Sequence, residues 1–242
     1  MGNSPAPGGR PRRSGVVAED PREGIVTAAA ELFAAHGFHA TRMTQIAQAS
    51  GLRQSSLYYW FRSKDEILRA ILDQNRVSLT AARELVRHDA PAAVRLYIVL
   101  YQDVVQMCSA PLNFYSLEEA AREQPDVFHD FHADYAELVE HLESLVADGV
   151  AEGALTRVDP AGHVRTALSL NEGLQYRFHS RGAEADLHEL ADSAAWTSVR
   201  SVLVDVSDAD DVRAAAQAGV AGFAAAPASE EVRSPTGAAD MV

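Results

Sequence analysis

Residues 44–61, TQIAQASGLRQSSLYYWF, permit very few folds. Ala47 is small where two helices would have to cross closely. Gly51 stands where the chain must turn sharply, and Leu57 is apolar where a second helix would be pinned onto the first. The segment after Gly51 is too polar for a core and too aromatic for an ordinary surface helix. A helix-turn-helix unit resolves the conflict, because it buries one side of its second helix and offers the other to the DNA major groove. Leu57, Trp60 and Phe61 are then expected to face a small core. Arg53, Gln54, Ser55, Ser56, Tyr58 and Tyr59 are left for the groove and its flanking phosphates. Arg and Gln side chains read base edges, and Ser and Tyr hydroxyls suit phosphate oxygens.

The remainder follows helical spacing, with no β-alternation, hairpin signal or repeat period. Pro21 suits a helix start and Gly37 a stop, and Ile25, Ala28, Ala29, Leu32, Phe33 and His36 make the inward stripe between them. The second helix begins near Thr41 or Arg42, with Ile46 and Ala47 inward, and ends at Gly51. Ser63 caps a fourth helix, whose first turn carries Asp65 and Glu66 and which is free of Gly and Pro to about His88. A fifth follows Pro91, with Val94, Ile98, Tyr101, Val104 and Val105 on its apolar face. FYSLEEAAREQ is expected to form a short helix closed by Pro125. A long helix follows at about 126–152, with Phe131, Tyr135, Leu138, Leu142 and Leu145 on one side and Gly149 and Gly153 fraying its end. Two more helices run from Pro160 to His179 and over LHELADSAAWTSVRSVLV, and a weak one is expected near 208–218.

Charge divides the chain. Through Lys64 it carries eight Arg or Lys against four Asp or Glu, whereas the rest holds 13 basic and 30 acidic residues, for a net −13 overall. A basic head on an acidic body is the asymmetry expected when only the head meets a polyanion. No apolar run approaches the ~20 residues of a membrane span, and no apolar block follows the basic N-terminus as in a secretory signal. MGNSPA lacks the Ser or Thr at position 6 of a myristoylation start. The single cysteine, Cys108, fits a reducing cytoplasm and is expected to be a buried small hydrophobe.

IVTAAAELFAAHGFHATRMTQIAQASGLRQSSLYYWFRSKDEILRAIL resembles the DNA-binding domain of TetR/AcrR-family transcriptional regulators over about residues 23–72. The first-helix pattern, the TQIAQASGL turn, SLYYWF and SKDEIL together carry that resemblance. It implies groove or base contact for Thr44, Arg53, Gln54, Ser55 and Ser56. It implies phosphate contact for Tyr58, Tyr59 and Lys64, the last being the chain's only lysine. Arg42 departs from the usual Ser or Thr cap, so the cap shifts to Thr41 and Arg42 is free to meet phosphate. The C-terminal two-thirds resembles the family in helical layout alone.

The resemblance also implies an effector cavity in the body. Its candidate lining is Tyr97, Tyr101, Met107, Phe114, Tyr115, Phe128, Phe131, Tyr135, Asn171, Gln175 and Phe178. Asn171 and Gln175 lie four apart on one face amid apolar neighbours, where polar groups need a partner or a ligand. His129 and His132, near Asp130, Asp134 and His141, have helical ligand spacing but form an ordinary polar face, so no metal is expected. No nucleophile elbow, phosphate loop or cofactor motif is present, and no enzyme or cofactor is expected.

The expected architecture is therefore all-α. A disordered basic arm (1–20) leads into a helix-turn-helix domain (21–65). An effector-binding and dimerisation domain (66–205) and a weakly structured tail (206–242) follow. The implied protein is cytoplasmic and homodimeric. It binds a palindromic double-stranded operator and is released by a small, largely apolar or aromatic effector; an activator fits the resemblance as well. The helices at about 160–180 and 185–205 would build the dimer interface, because one recognition helix reads only a few base pairs and twofold symmetry supplies the second.

Overall fold

The computed structural model describes residues 20–73, 76–109, 125–181 and 186–227. These residues form α1 (Pro21–His36), α2 (Met43–Ala49), α3 (Gln54–Trp60), α4 (Lys64–Asp73), α5 (Val77–Leu85), α6 (Ala92–Ser109), α7 (Pro125–Ala151), α8 (Pro160–Arg181), α9 (Leu187–Arg200) and α10 (Ala209–Ala218). A 3-10 turn at Val206–Asp208 leads into α10. Among the described residues the extended pairings are isolated bridges, Leu155 with Leu203 and Val220 with Phe223, so the class is all-α. The expectations for residues 1–19, for the FYSLEEAAREQ helix and for residues 228–242 lie outside the described residues.

Local chemistry sets the ends of the head's helices. Asp20 accepts a hydrogen bond from the Arg22 N–H at 2.8 Å, and Pro21 in the first turn has no N–H to leave unpaired. Gly37, at φ +81°, closes α1 with its N–H on the Phe33 carbonyl. The buried stripe is Ile25, Val26, Ala29, Ala30 and Phe33, whereas His36, expected inward, is exposed one turn beyond it. Thr41 does not cap α2. Its hydroxyl is buried against the carbonyls of Gly37 (2.8 Å) and Leu32 (3.2 Å), tying the turn back to α1. Arg42 takes the N-cap position, and its N–H is held by the Gln45 side chain at 2.8 Å. Ser63 caps α4 as expected, accepting from the Glu66 N–H at 3.2 Å.

Two cores divide the molecule. The head core gathers Ile25, Phe33, Ile46, Leu57 and Phe61 with Ile67, Leu68 and Ile71 of α4. The body core begins with Leu79, Ala82 and Leu85 of α5. One straight helix cannot serve both, which explains why the single helix expected to reach His88 is two. The head's hydrophobic cluster includes Ile67, Leu68, Ala70, Ile71 and Leu72 of α4. In the body, α6 is the axis and is buried on nearly every side from Ala92 to Tyr101. The helix expected to be weak near 208–218 is well packed. Ala209, Ala216 and Ala225 are buried in the body core, and Gln102 donates to the Ala224 carbonyl at 2.7 Å. Gly149 does not fray α7; it lies buried inside it, where a Cβ would stand 2.6 Å from Leu155 side-chain atoms.

Candidate nucleic-acid interface

The turn before α3 is built on Gly51, whose φ of +69° is the left-handed conformation that glycine adopts without strain. The Leu52 N–H donates to the Ala47 carbonyl at 2.8 Å and closes it. Leu57 is fully buried and Phe61 is 3% exposed, so they fix the rotation of α3 about its axis. Arg22 of α1 lies 5.2 Å from the Phe61 ring centre, a cation–π contact over the end of the helix.

That rotation determines what faces outward. Arg53, Gln54, Ser55, Tyr58 and Tyr59 are exposed and Ser56 is half-buried. Thr44 and Arg42, at the start of α2, are also exposed. Among the described residues Arg42 and Arg53 form no ion pair, so their guanidinium groups are available to an anion. Trp60 corrects its expectation. It is 39% exposed, sits edge-on to Tyr59 with ring centres 5.4 Å apart, and joins Ser55, Ser56 and Tyr59 around a shallow depression. A seven-residue helix pinned by Leu57 and Phe61 carries position 60 round to the flank of the outward face.

Lys64 has partners within the head. Its ammonium donates to the carbonyls of Phe38 (2.5 Å), Thr41 (2.9 Å) and His39 (3.3 Å), and lies 4.3 Å from the Phe38 ring centre. Burial lowers its pKa, with Asp65 opposing. The group expected on phosphate clamps the α1–α2 turn to the start of α4 in the DNA-free chain.

The expected effector lining divides. Phe128 belongs to the head core and Phe131 packs beside it, so both leave the set; the reason is that the first turn of α7 reaches over the head. Tyr135 is 41% exposed, with its hydroxyl donating to Glu172 at 3.2 Å. Phe114 and Tyr115 lie outside the described residues. Tyr97, Tyr101, Asn171 and Gln175 are buried where α6 meets α8 and α9, with Met107 and Phe178 partly buried nearby. Tyr97 donates to Asp192 at 2.6 Å, and Tyr101 pairs with His188 at 2.7 Å. Burial raises the pKa of both hydroxyls, that of Tyr101 to about 12. Gln175 donates to the Met107 carbonyl at 3.3 Å. Asn171 donates to Asp103 at 3.0 Å, and its own Oδ1 is buried without a partner among the described residues.

Sequence reasoning missed Asp103, Asp192 and Arg95. Asp103 is buried, and burial pushes its carboxyl up to about 6 against the opposing hydrogen bonds from Asn171 and Ser78. Asp192 receives Arg213 and Gln217 from α10 as well as Tyr97. Arg95, 4% exposed, donates to the Leu85 and Val86 carbonyls at the end of α5 and pairs with Asp148 and Glu152. The available signal was a charged residue inside an apolar helical run, as in VRLYIVLYQDVV. His129 is exposed beside Asp130, and no metal-holding group of three or more His, Cys, Asp or Glu occurs among the described residues. No described helix is long and apolar enough to cross a membrane. Cys108 is buried, and burial raises its thiol to about 11.

Comparison with known proteins points the same way as this geometry. Residues 25–71 match the family described as bacterial regulatory proteins, tetR family. The chain is 31% identical over 141 residues to the HTH-type transcriptional regulator RutR of Escherichia coli K12, covering 57% of this chain and 66% of that one, just under two thirds of the relative's length. The crystal structure of AmtR from Mycobacterium smegmatis superposes with a TM-score of 0.67 at 30% identity, over 85% of this chain and 95% of that one. PfmR of Thermus thermophilus, a TetR-family transcriptional regulator, gives 0.64 at 25% identity, over 73% and 97%.

Proposed function

From the premise that this chain belongs to the TetR/AcrR family of transcriptional regulators, we propose that it is a cytoplasmic repressor that grips a palindromic operator as a homodimer and releases it when a small effector enters the body. The family consists of regulators, not enzymes. The observation that carries the reading is the division of α3. Leu57 and Phe61 are buried, while Gln54, Ser55, Tyr58 and Tyr59 stand in solvent beside two arginines that form no ion pair among the described residues.

Gln54 and Arg53 meet base edges, Ser55, Ser56 and Thr44 line the groove, and Tyr58 and Arg42 take phosphates. A second copy places the other α3 about one DNA turn away, ~34–36 Å. The face of α8 that carries Leu170 (36% exposed), Gly173 and Tyr176 (56% exposed) supports this, since a Cβ at Gly173 would meet nothing within 4 Å and a second helix has room to approach. Asn171, Gln175, Tyr97 and Tyr101 give the body polar groups inside apolar walls, which suits an apolar or aromatic effector with one or two hydrogen-bonding atoms. Such an effector releases DNA only if it prefers the state that binds DNA poorly; a preference of ~1–3 kcal/mol changes operator affinity about 5–150-fold.

The test is selection of duplexes from randomised DNA with the full chain, followed by affinity measured against salt. The expected result is an inverted repeat and a steep salt dependence, with R42A reducing the log–log slope by about one phosphate contact. Enrichment of no sequence, or an affinity indifferent to salt, refutes the reading. Thermal-shift screening of small aromatics and acyl thioesters then identifies the effector as the compound that raises Tm and releases the duplex together.

A further inference from the structure

We propose that the depression between Ser55, Ser56, Tyr59 and Trp60 reads thymine in the major groove, with the 5-methyl group seated in the depression against both rings and a serine hydroxyl donating to O4. The inference rests on the DNA-binding reading above and adds the base that this part of α3 selects.

Four observations carry it. The residues are two adjacent pairs one helical turn apart, so Ser55 stacks beneath Tyr59 and Ser56 beneath Trp60 on neighbouring strips of the surface. Two small side chains beside two large ones make a dent, and the four line one in the structure. Its walls are preformed, because Tyr59 and Trp60 hold each other edge-to-face at 5.4 Å and 88°. Its polar end is open to a ligand. Other hydroxyls in the fold bond back to a helical carbonyl, as Ser50, Thr80, Thr166 and Thr197 do. The hydroxyls of Ser55 and Ser56, in the first turn of α3, make no such bond among the described residues.

The chemistry of that dent is apolar on one side and hydrogen-bonding on the other. In the major groove thymine alone presents a methyl group beside an acceptor. Cytosine shows a donor and no methyl, and the two purines show no methyl at all. The inference also changes the expected role of Tyr59, which is 82% exposed and lines the dent with Trp60, from phosphate contact to base contact.

The test uses the full chain and a duplex selected by it from randomised DNA. Each thymine of that duplex is replaced in turn by deoxyuridine, which removes the methyl and preserves pairing. One thymine in each half-site is expected to matter, with roughly three- to fourfold weaker binding, the value of one buried methyl group. Y59A and W60A, both on exposed side chains, are expected to bind the thymine and uracil duplexes equally. With W196F, Trp60 is the chain's one remaining tryptophan, and its fluorescence is expected to be shielded from acrylamide by the thymine duplex. Salt-dependent binding that ignores every thymine-to-uracil exchange overturns the inference and leaves the DNA-binding reading intact. So does a uniform loss of affinity in Y59A and W60A with the methyl preference retained. Failure to bind any selected duplex overturns both.

Discussion

Asp103 lies 5% exposed between α6 and α8, with no cation among its described neighbours. Its polar contacts are the Asn171 amide at 3.0 Å and the Ser78 hydroxyl, and the nearby Glu172 carboxylate opposes its charge. Burial lifts its carboxyl from 3.8 to about 6. The folded chain therefore holds this proton more tightly than the unfolded chain. The associated stability is fully present below about pH 4 and is lost as pH rises through 6. A lift of about two pH units at 1.36 kcal/mol each makes the loss roughly 3 kcal/mol by neutral pH. Asp103→Asn removes the titration and keeps the shape. It also supplies an N–H to the one atom nearby that needs it, the buried Asn171 Oδ1. The expected result is a variant more stable than the parent at pH 8 by ~2–3 kcal/mol and no more stable at pH 4. The measurement is urea unfolding of both chains at matched concentration from pH 4 to 8, with the difference between them plotted against pH so that other titrating groups cancel. A difference that stays flat across that range refutes the reasoning, because it would mean that Asp103 carries no buried charge to relieve.

Three further perturbations follow from particular contacts. K64M strips three carbonyls of their donor at the α1–α2 turn, so operator affinity is expected to fall while the log–log salt slope stays unchanged; a slope reduced by ~0.9 would return Lys64 to the phosphate backbone. G149A places a methyl 2.6 Å from Leu155 Cγ and Cδ1, and overpacking of that kind is expected to outweigh the helix-propensity gain, lowering stability by ~1–2 kcal/mol in denaturant unfolding. F128A empties a 3%-exposed site in the head core and is expected to cost ~3 kcal/mol or more, read as early loss of protection from hydrogen exchange in α1 and α4.

The head was legible because its signals are local. Pro21, Gly37, Gly51 and Ser63 each act within a few residues, and all four mark helix boundaries in the structure. Leu57 is similarly local, since seven residues of helix allow one inward apolar position after the turn. What the sequence hid depends on distant partners. Lys64 looked like a surface cation because its carbonyl acceptors lie 23 to 26 residues earlier. Phe128 has helical spacing with the body residues of α7, yet it packs on the head because α7 overshoots the body at its N-terminal end. The α10 segment is Ala-rich and weakly patterned, so its docking rests on Asp192, Gln102 and a handful of buried alanines that no local pattern reveals.

The junction between head and body decides how a signal could reach α3, and magnitudes choose among its contacts. Arg76 pairs with Asp134 and Arg83 with Glu137, both linking the α4–α5 region to α7. The hydrogen bond from Arg83, and then that from His141, hold the Glu137 carboxyl down at about 2. These side chains are partly exposed to water, where screening leaves ion pairs little mechanical authority. Phe128 is different in kind. It is enclosed by the head core, and drawing it out by even part of its length opens a void that costs ~24 cal/mol for each Å³. Turning the head as a unit opens no such void, because Lys64 binds the α1–α2 turn to α4, and α1 and α4 share one core. If an effector displaces α7, the head is therefore expected to follow as a unit, carrying α3 without repacking the residues that present Ser55, Tyr59 and Trp60.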